Sequence, residues 1–464
     1  MGESGREGIE PSDGPQHSDD KVFNVGTRNS KLALVQTEMV VEQLVRLHKE
    51  WSFKINSMAT TGDKVLDVAL SKIGTKALFT KELELALVAK TADFVVHSLK
   101  DMPTTLPKGM VLAATLERED PRDSVVFSDE VKRTKPHVKT LADLPEGAVV
   151  GTSSVRRSAQ MRRKFPHLLF RDVRGNVQTR LAKLNHLPDP TDPTLPFSAI
   201  LLAHSGLIRL HLQHIVSYTL DEDESLYAVG QGALAVECRH PDGGASVDDI
   251  LQVAGEVEAK FGAVVQSNGE TSDVKDFDAD ASAAPTFPSK RDAHLLALIR
   301  TLEHRPTRVR VECERQVMRR LEGGCSVPLG VRTEIVESSL PNVSTDVDTK
   351  VPNDSNGTHT GIPPRRVLHM TAAVWTLDGS TETRVSDSEA LATLPSSPSS
   401  SDATYPDAAF DLDLEAAHRL AERVVAALEN AGARAILDEI KGKRERGEVV
   451  LEDVSKRPKK KTAG

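Results

Sequence analysis

Only three cysteines, Cys238, Cys313 and Cys325, occur in 464 residues, so the chain has no disulfide framework and a reducing compartment is its natural setting. Aromatic residues are scarce, at 4%. No apolar run approaches the roughly 18 residues of a membrane span, which excludes an integral membrane helix. Positive charge is also short overall: Lys and Arg number 59 against 68 Asp and Glu, for a net charge of −9. A nucleic-acid binder advertises a basic domain or stripe, and none is present. The phosphate-loop pattern and the Gly-x-Gly-x-x-Gly fingerprint are missing too, which counts against a nucleotide site.

What is present is local. Arginines stand singly or in pairs inside Gly/Ser/Thr/Asn-rich turns: Arg28 after Gly26-Thr27, Arg156 and Arg157 after Gly151-Thr152-Ser153-Ser154-Val155, and Arg174 and Arg180 around Gly175-Asn176. Short apolar runs alternate with helical periods, the pattern of βα units around largely parallel sheets. Strands are expected at 22–25, 53–58 and 94–96, with helices from Asn29 or Ser30 and over 76–89. The first helix is expected to bury Leu32, Val35, Met39, Leu44 and Leu47. A second set follows Pro121, with strands at 148–150, 168–170 and 199–202 and helices starting near Ser154 and Asn176. Ligands of open α/β sheets bind beyond the carboxyl ends of the strands, so the arginine turns are expected to face one crevice. A guanidinium fork suits carboxylates, although each arginine taken alone is also an ordinary surface or ion-pair residue.

Segments 241–291, 337–365 and 387–407 are rich in Gly, Ser, Asp, Asn and Pro and read as disordered insertions. Between them a smaller α+β domain is expected. Its last helix carries Leu412, Ala416, Leu420, Val424 and Leu428 on one face and stops near Gly432. Residues 1–20, polar and acidic, read as a disordered lead without a targeting signal. Residues 446–464 form a basic tail, in which Lys456–Lys461 has the composition of a nuclear-localisation patch or of a solvated tail.

Two further features carry chemistry. Lys100 and Asp101 follow a strand in Ser98-Leu99-Lys100-Asp101-Met102-Pro103; they are either solvated loop charges or, among arginines, a cation beside the lone anion able to stabilise a cationic intermediate or move its proton. Cys325 follows Gly323-Gly324, which gives an unobstructed thiol as an alternative to a buried structural one. No second Cys or His stands at ligand spacing, so no metal is expected.

Together these segments resemble the porphobilinogen deaminase (hydroxymethylbilane synthase) family. The resemblance is carried by Gly26-Thr27-Arg28, Lys76 to Glu84, His97 to Pro103, Arg118 to Asp123, Ser153 to Arg157, Arg174-Gly175-Asn176, Val229 to Leu234 and the Gly-Gly-Cys loop. It implies an α/β fold of two periplasmic-binding-protein-like lobes plus a smaller α+β C-terminal domain. Residues 21–121 with 221–240 would form lobe 1, residues 122–220 lobe 2, and residues 241–445 the cofactor-carrying domain, with crossovers at 120–123 and 221–226.

The resemblance also implies a deaminating, C–C bond-forming transferase of haem biosynthesis. Four porphobilinogen units would be added to a dipyrromethane cofactor held by a thioether to Cys325, and water would release the linear hydroxymethylbilane. Asp101 and Lys100 are the implied catalytic residues. Arg28, Ser30, Gln36, Lys76, Ser98, Thr152, Ser153, Ser154, Arg156, Arg157, Arg174, Arg180 and Gln231 are the implied binders of pyrrole carboxylates. A cytoplasmic monomer acting on a small molecule, without nucleic acid or membrane, is expected. Asn29, where lysine is common, Ala77, where glycine or serine is usual, and the long insertions depart from the family pattern. The alternative is a non-catalytic binder of dicarboxylates or oxyanions on the same two lobes.

Overall fold

Short strands that are apolar at nearly every position need cover on both faces, and the chain supplies it with helices on either side of two sheets. A computed structural model describes residues 21–60, 80–185, 196–244, 289–321, 327–338, 365–394 and 405–446. Lobe 1 opens with β1 (Val22–Arg28), α1 (Lys31–Leu47), β2 (Ser52–Met58), α2 (Lys81–Val88), β3 (Phe94–Ser98) and β4 (Met110–Thr115). The chain then crosses to lobe 2, which holds β5 (Asp123–Phe127), α3 (Asp129–Thr134), β6 (Val149–Gly151), α4 (Val155–Lys164), β7 (Leu169–Arg171), α5 (Val177–Leu184), β8 (Ala199–Ala203), α6 (His204–Arg209) and β9 (Tyr218–Thr219). It returns to lobe 1 for β10 (Leu234–Arg239) and α7 (Lys290–Arg300).

The sheet orders are β2-β1-β3-β10-β4 and β7-β6-β8-β5-β9. In each, four strands run in one direction, and the strand that has just crossed from the other lobe enters antiparallel between the third and the fourth. The parallel strands of both lobes therefore end toward the crossing segments, where Arg28, Ser98 and Gly151 lie.

The two crossing segments touch. Glu119 N–H donates to Gly232 O at 3.2 Å, and Arg209 of lobe 2 bonds both Glu119 and Gly232 O. Gly232 has φ +90°, and a Cβ there would lie 2.4 Å from Glu119 O, so only glycine lets the strands pass.

A third unit comprises α8 (Arg305–Arg320), β11 (Leu329–Ser338), β12 (Arg365–Trp375), β13 (Glu382–Ala390), α9 (Asp407–Asn430) and α10 (Ala433–Glu445), with β12 central in an antiparallel sheet. Glu314 of α8 anchors it to the crossings: it accepts from Arg118 Nη1 at 2.6 Å and from Gly230 N–H at 2.8 Å, all buried.

Several expectations need correction. The inward face of α1 is Gln36, Thr37, Val40 and Leu44, while Leu47 is 54% exposed. Polar side chains can face inward there because each finds a partner: Thr37 donates to Thr27 Oγ1 at 2.8 Å, and Gln36 bonds Ser98. The expected helix over 76–89 is described only as α2, and residues 76–79 lie outside the described residues. Residues 241–445 do not form one unit, since Leu295, Leu296, Leu298 and Ile299 of α7 join Phe23, Val25 and Phe94 in the core of lobe 1. Residues 387–390, read as part of an insertion, complete β13. On α9, Leu412 is exposed, whereas its neighbour Asp413 is buried and paired with Arg366 at 2.7 Å.

Candidate active site

The turn Leu99–Asp101 that follows β3 is held from below by buried Leu99, whose N–H donates to Ala233 O at 3.0 Å. This leaves Lys100 half-buried and Asp101 exposed toward lobe 2. Facing them is the N-terminus of α4. Ser154 caps it by accepting from Arg157 N–H at 3.4 Å, and Arg156 and Arg157 occupy its first turn. Lys100, Asp101 and Gln231 from one side and Ser153, Ser154, Arg156, Arg157 and Arg180 from the other line a single cavity of ≈ 190 Å³. Val155, Ala228, Val229 and Leu329 add apolar wall. Met318, near the end of α8, and Val327, the first described residue after the Cys325 stretch, line it as well. Cys325 and Lys76 themselves lie outside the described residues.

A carboxylate that the sequence reading left without a role organises the basic wall. Asp123 is 1% exposed and accepts from Arg156 Nη2 at 2.9 Å, Arg157 Nη2 at 2.6 Å and Gln231 Nε2 at 2.8 Å. Burial opposes its ionisation, but Arg156 and Arg157 together hold its carboxyl well below the usual carboxylate range. Asp101 is therefore not the lone anion near the cleft. The two arginines are fixed by Asp123 and by the carbonyls of Leu226 and Leu201, while Nε of Arg157 is buried without a hydrogen-bond partner among the described residues. Only the Arg118–Asp123 motif hinted at this, because an aspartate directly after a crossing is placed between the lobes.

Arg180 donates from Nε to Gly175 O at 2.7 Å, and burial beside Arg157 lowers its pKa to about 10. Burial likewise lowers that of Lys100 to about 8, with Asp101 opposing and Arg157 reinforcing the shift. Of the other predicted residues, Arg28, Ser30, Gln36, Ser98, Thr152 and Arg174 do not line this cavity. Gln36 and Ser98 bond each other at 2.9 Å, and Ser30 caps α1 by accepting from Ala33 N–H. Thr152 is buried and accepts from Ser154 N–H, and Ser153 donates to Val173 O at 2.6 Å. Arg28 ends β1 half-buried, and Arg174 is buried before α5. Among the described residues no three His, Cys, Asp or Glu side chains converge as metal ligands.

Two family models match the chain: the porphobilinogen deaminase dipyrromethane cofactor binding domain over residues 23–246 and the porphobilinogen deaminase C-terminal domain over residues 308–393. Porphobilinogen deaminase of Synechococcus elongatus is 42% identical over 318 residues, 68% of this chain and 80% of that one. The chain belongs to the porphobilinogen deaminase family. The same protein of Synechococcus sp. (strain RCC307) is 44% identical over 318 residues, again 68% and 80% of the two chains. Among solved structures, the methionine binding protein MetQ covers 52% of this chain and 97% of its own, at 11% identity and a TM-score of 0.30.

The cofactor domain of the family thus spans both walls of the cavity, and the donor set fits a ligand bearing several carboxylates. Four cations, Lys100, Arg156, Arg157 and Arg180, face two carboxylates, Asp101 and Asp123.

The depressed pKa of Lys100 gives a pH prediction. As pH rises through about 8 the unliganded protein loses this cation, so kcat/KM for a carboxylate-bearing substrate should fall there. Lys100→Arg, which keeps its charge, should move that limb up by about one unit or more in a pH–rate profile. A limb that stays in place would assign it to another group.

Proposed function

We propose that the chain is a hydroxymethylbilane synthase, which condenses four porphobilinogen molecules head to tail with loss of ammonia and releases the linear tetrapyrrole by hydrolysis. The observation that carries this reading is the placement of Asp101 across one cavity from Arg157 and Arg180, inside the matched cofactor domain. When bound, the dipyrromethane group supplies the nucleophilic terminal ring and, through Cys325, the anchor for the growing product.

The protein's own groups do the rest. In each condensation the substrate's C–N bond breaks, ammonia leaves, and positive charge develops on the methylene and pyrrole nitrogen. The Asp101 carboxylate stabilises that charge and takes the proton lost from the ring carbon once the new C–C bond has formed. Lys100, Arg180 and Arg157 hold acetate and propionate groups, with Ser153 and Ser154 as neutral donors. Arg28, Ser30, Gln36, Ser98, Thr152, Arg174 and Gln231 extend the polar lining, and Lys76 and Cys325 act from the stretches beyond the described residues.

In this reading residues 21–121 with 221–240 form the lobe that bears Asp101, and residues 122–220 form the anion-binding lobe. The C-terminal unit brings the thiol to the cavity, and the enzyme works as a monomer on a small molecule. No helix among the described residues is long and apolar enough to cross a membrane.

The binder alternative is less favoured by the family match, and product stoichiometry separates the two. The enzyme releases one ammonium ion per porphobilinogen consumed and four per tetrapyrrole formed. Saturable binding of porphobilinogen with no ammonium release would leave the binder.

A further inference from the structure

A second cationic concavity lies at the seam between lobe 1 and α8. Its volume is ≈ 530 Å³, and it shares no lining residue with the cavity around Asp101. Thr104 and Thr105 line it from lobe 1; Arg308, Glu312, Arg315 and Arg319 line it from α8. Their spacing of four, three and four residues puts all four on one face of the helix, while Met318 turns to the other cavity.

The groove is short of negative charge. Three guanidinium groups face one carboxylate, and Glu312 is already engaged by Gln316 and His418 at 3.0 and 3.4 Å. Glu303 stands 3.8 Å from Arg308, and Glu237, bonded to His97 at 2.8 Å, also acts on Arg315, but neither carboxylate lines the groove. Arg315 is 3% exposed, and its hydrogen bonds among the described residues are both made by Nη2, to Pro103 O at 2.8 Å and Thr104 O at 3.2 Å. Burial lowers its pKa to about 10, with Glu312 and, more weakly, Glu237 opposing the effect and Arg308 and Arg319 adding to it. Arg319 reaches the same loop, donating to Thr104 O at 2.7 Å. A buried guanidinium beside two others is costly unless an anion joins it, and threonine hydroxyls on the opposite wall suit an oxyanion.

We infer that this seam is a second anion-binding site, for a small polyvalent oxyanion of the phosphate class. Bound there, the oxyanion bridges the loop that follows Asp101 to the helix that precedes Cys325, and so ties lobe 1 to the C-terminal unit. The site does not depend on the proposed reaction.

Titration calorimetry of the full-length holoenzyme with inorganic pyrophosphate tests it. Saturable binding is expected, about tenfold or more weaker in the Arg308→Gln/Arg319→Gln double variant. Removing the competing carboxylate by Glu312→Gln should tighten binding about threefold or more, an effect of opposite sign that does not depend on the double variant folding. Arg180→Gln, in the other cavity, should change affinity by less than about twofold. No saturable binding to the wild type overturns the inference, as does binding that is lost with Arg180→Gln but indifferent to Glu312→Gln and to the double variant.

Discussion

Asp101→Asn should fold normally, keep its covalently bound ligand and turn over about a hundredfold or more slowly, because it loses both a charge placed at the reacting centre and a proton acceptor. The folding half of this expectation rests on geometry. Asp101 is exposed, and no hydrogen bond or ion pair of its side chain is formed among the described residues. Its replacement should therefore move stability by no more than about 0.5 kcal/mol, as for an ordinary surface change. Rapid-quench kinetics with intact-mass detection separates the steps: ligand-loaded protein with slow chain growth is expected. Turnover at the wild-type rate would remove Asp101 from the mechanism.

Asp123→Asn should do the reverse and act first on stability. Asparagine leaves two buried guanidinium groups without their shared counter-ion, a loss of about 3–5 kcal/mol for a broken buried pair. For the two lobes unfolding together that corresponds to a fall in Tm of about 6–20 °C. The sign of the pH dependence follows from the depressed carboxyl. Its stabilisation is complete above the unfolded value of about 4 and is lost progressively as pH falls toward the lower folded value. The gap in Tm between wild type and variant should therefore narrow below about pH 4. An unchanged Tm at neutral pH would show that the arginines do not need Asp123. The pair of variants distinguishes a carboxylate that works on substrate from one that holds the groups that do.

Those two roles were unequally legible in the sequence. The position of Asp101 was readable because it follows a strand at the end where ligands of parallel sheets bind, and it does line the cavity, although the same charged pair also reads as solvated loop. Asp123 was not, because what it does depends on Arg156 and Arg157, more than thirty residues away and brought near only by the second sheet. Helix starts at Ser30, Ser154 and Asn176 were legible for a local reason: each side chain accepts the N–H three residues on.

Faces were harder to read than starts. Hydrophobic spacing pointed α1 inward through Leu47, whereas Gln36 and Thr37 face inward because Ser98 and Thr27 satisfy them. The same limit hid the partner of α7. Its apolar stripe fits any sheet, and only tertiary contact shows that it covers lobe 1 rather than the C-terminal unit. Of the arginine turns, those of Arg156, Arg157 and Arg180 meet at one cavity, and their division of labour was not legible. Arg156 and Arg157 are tied to a protein carboxylate, while Arg180, among the described residues, hydrogen-bonds the Gly175 carbonyl and feels Asp172 and Asp101 only through space.

Intact mass of the purified protein, compared with that of Cys325→Ser and followed alongside porphobilinogen consumption, tests the central claim most directly. The account predicts a wild-type mass increased by two linked pyrrole units, and a Cys325→Ser protein that is unmodified and inactive. A fully active wild type of unmodified mass would contradict it.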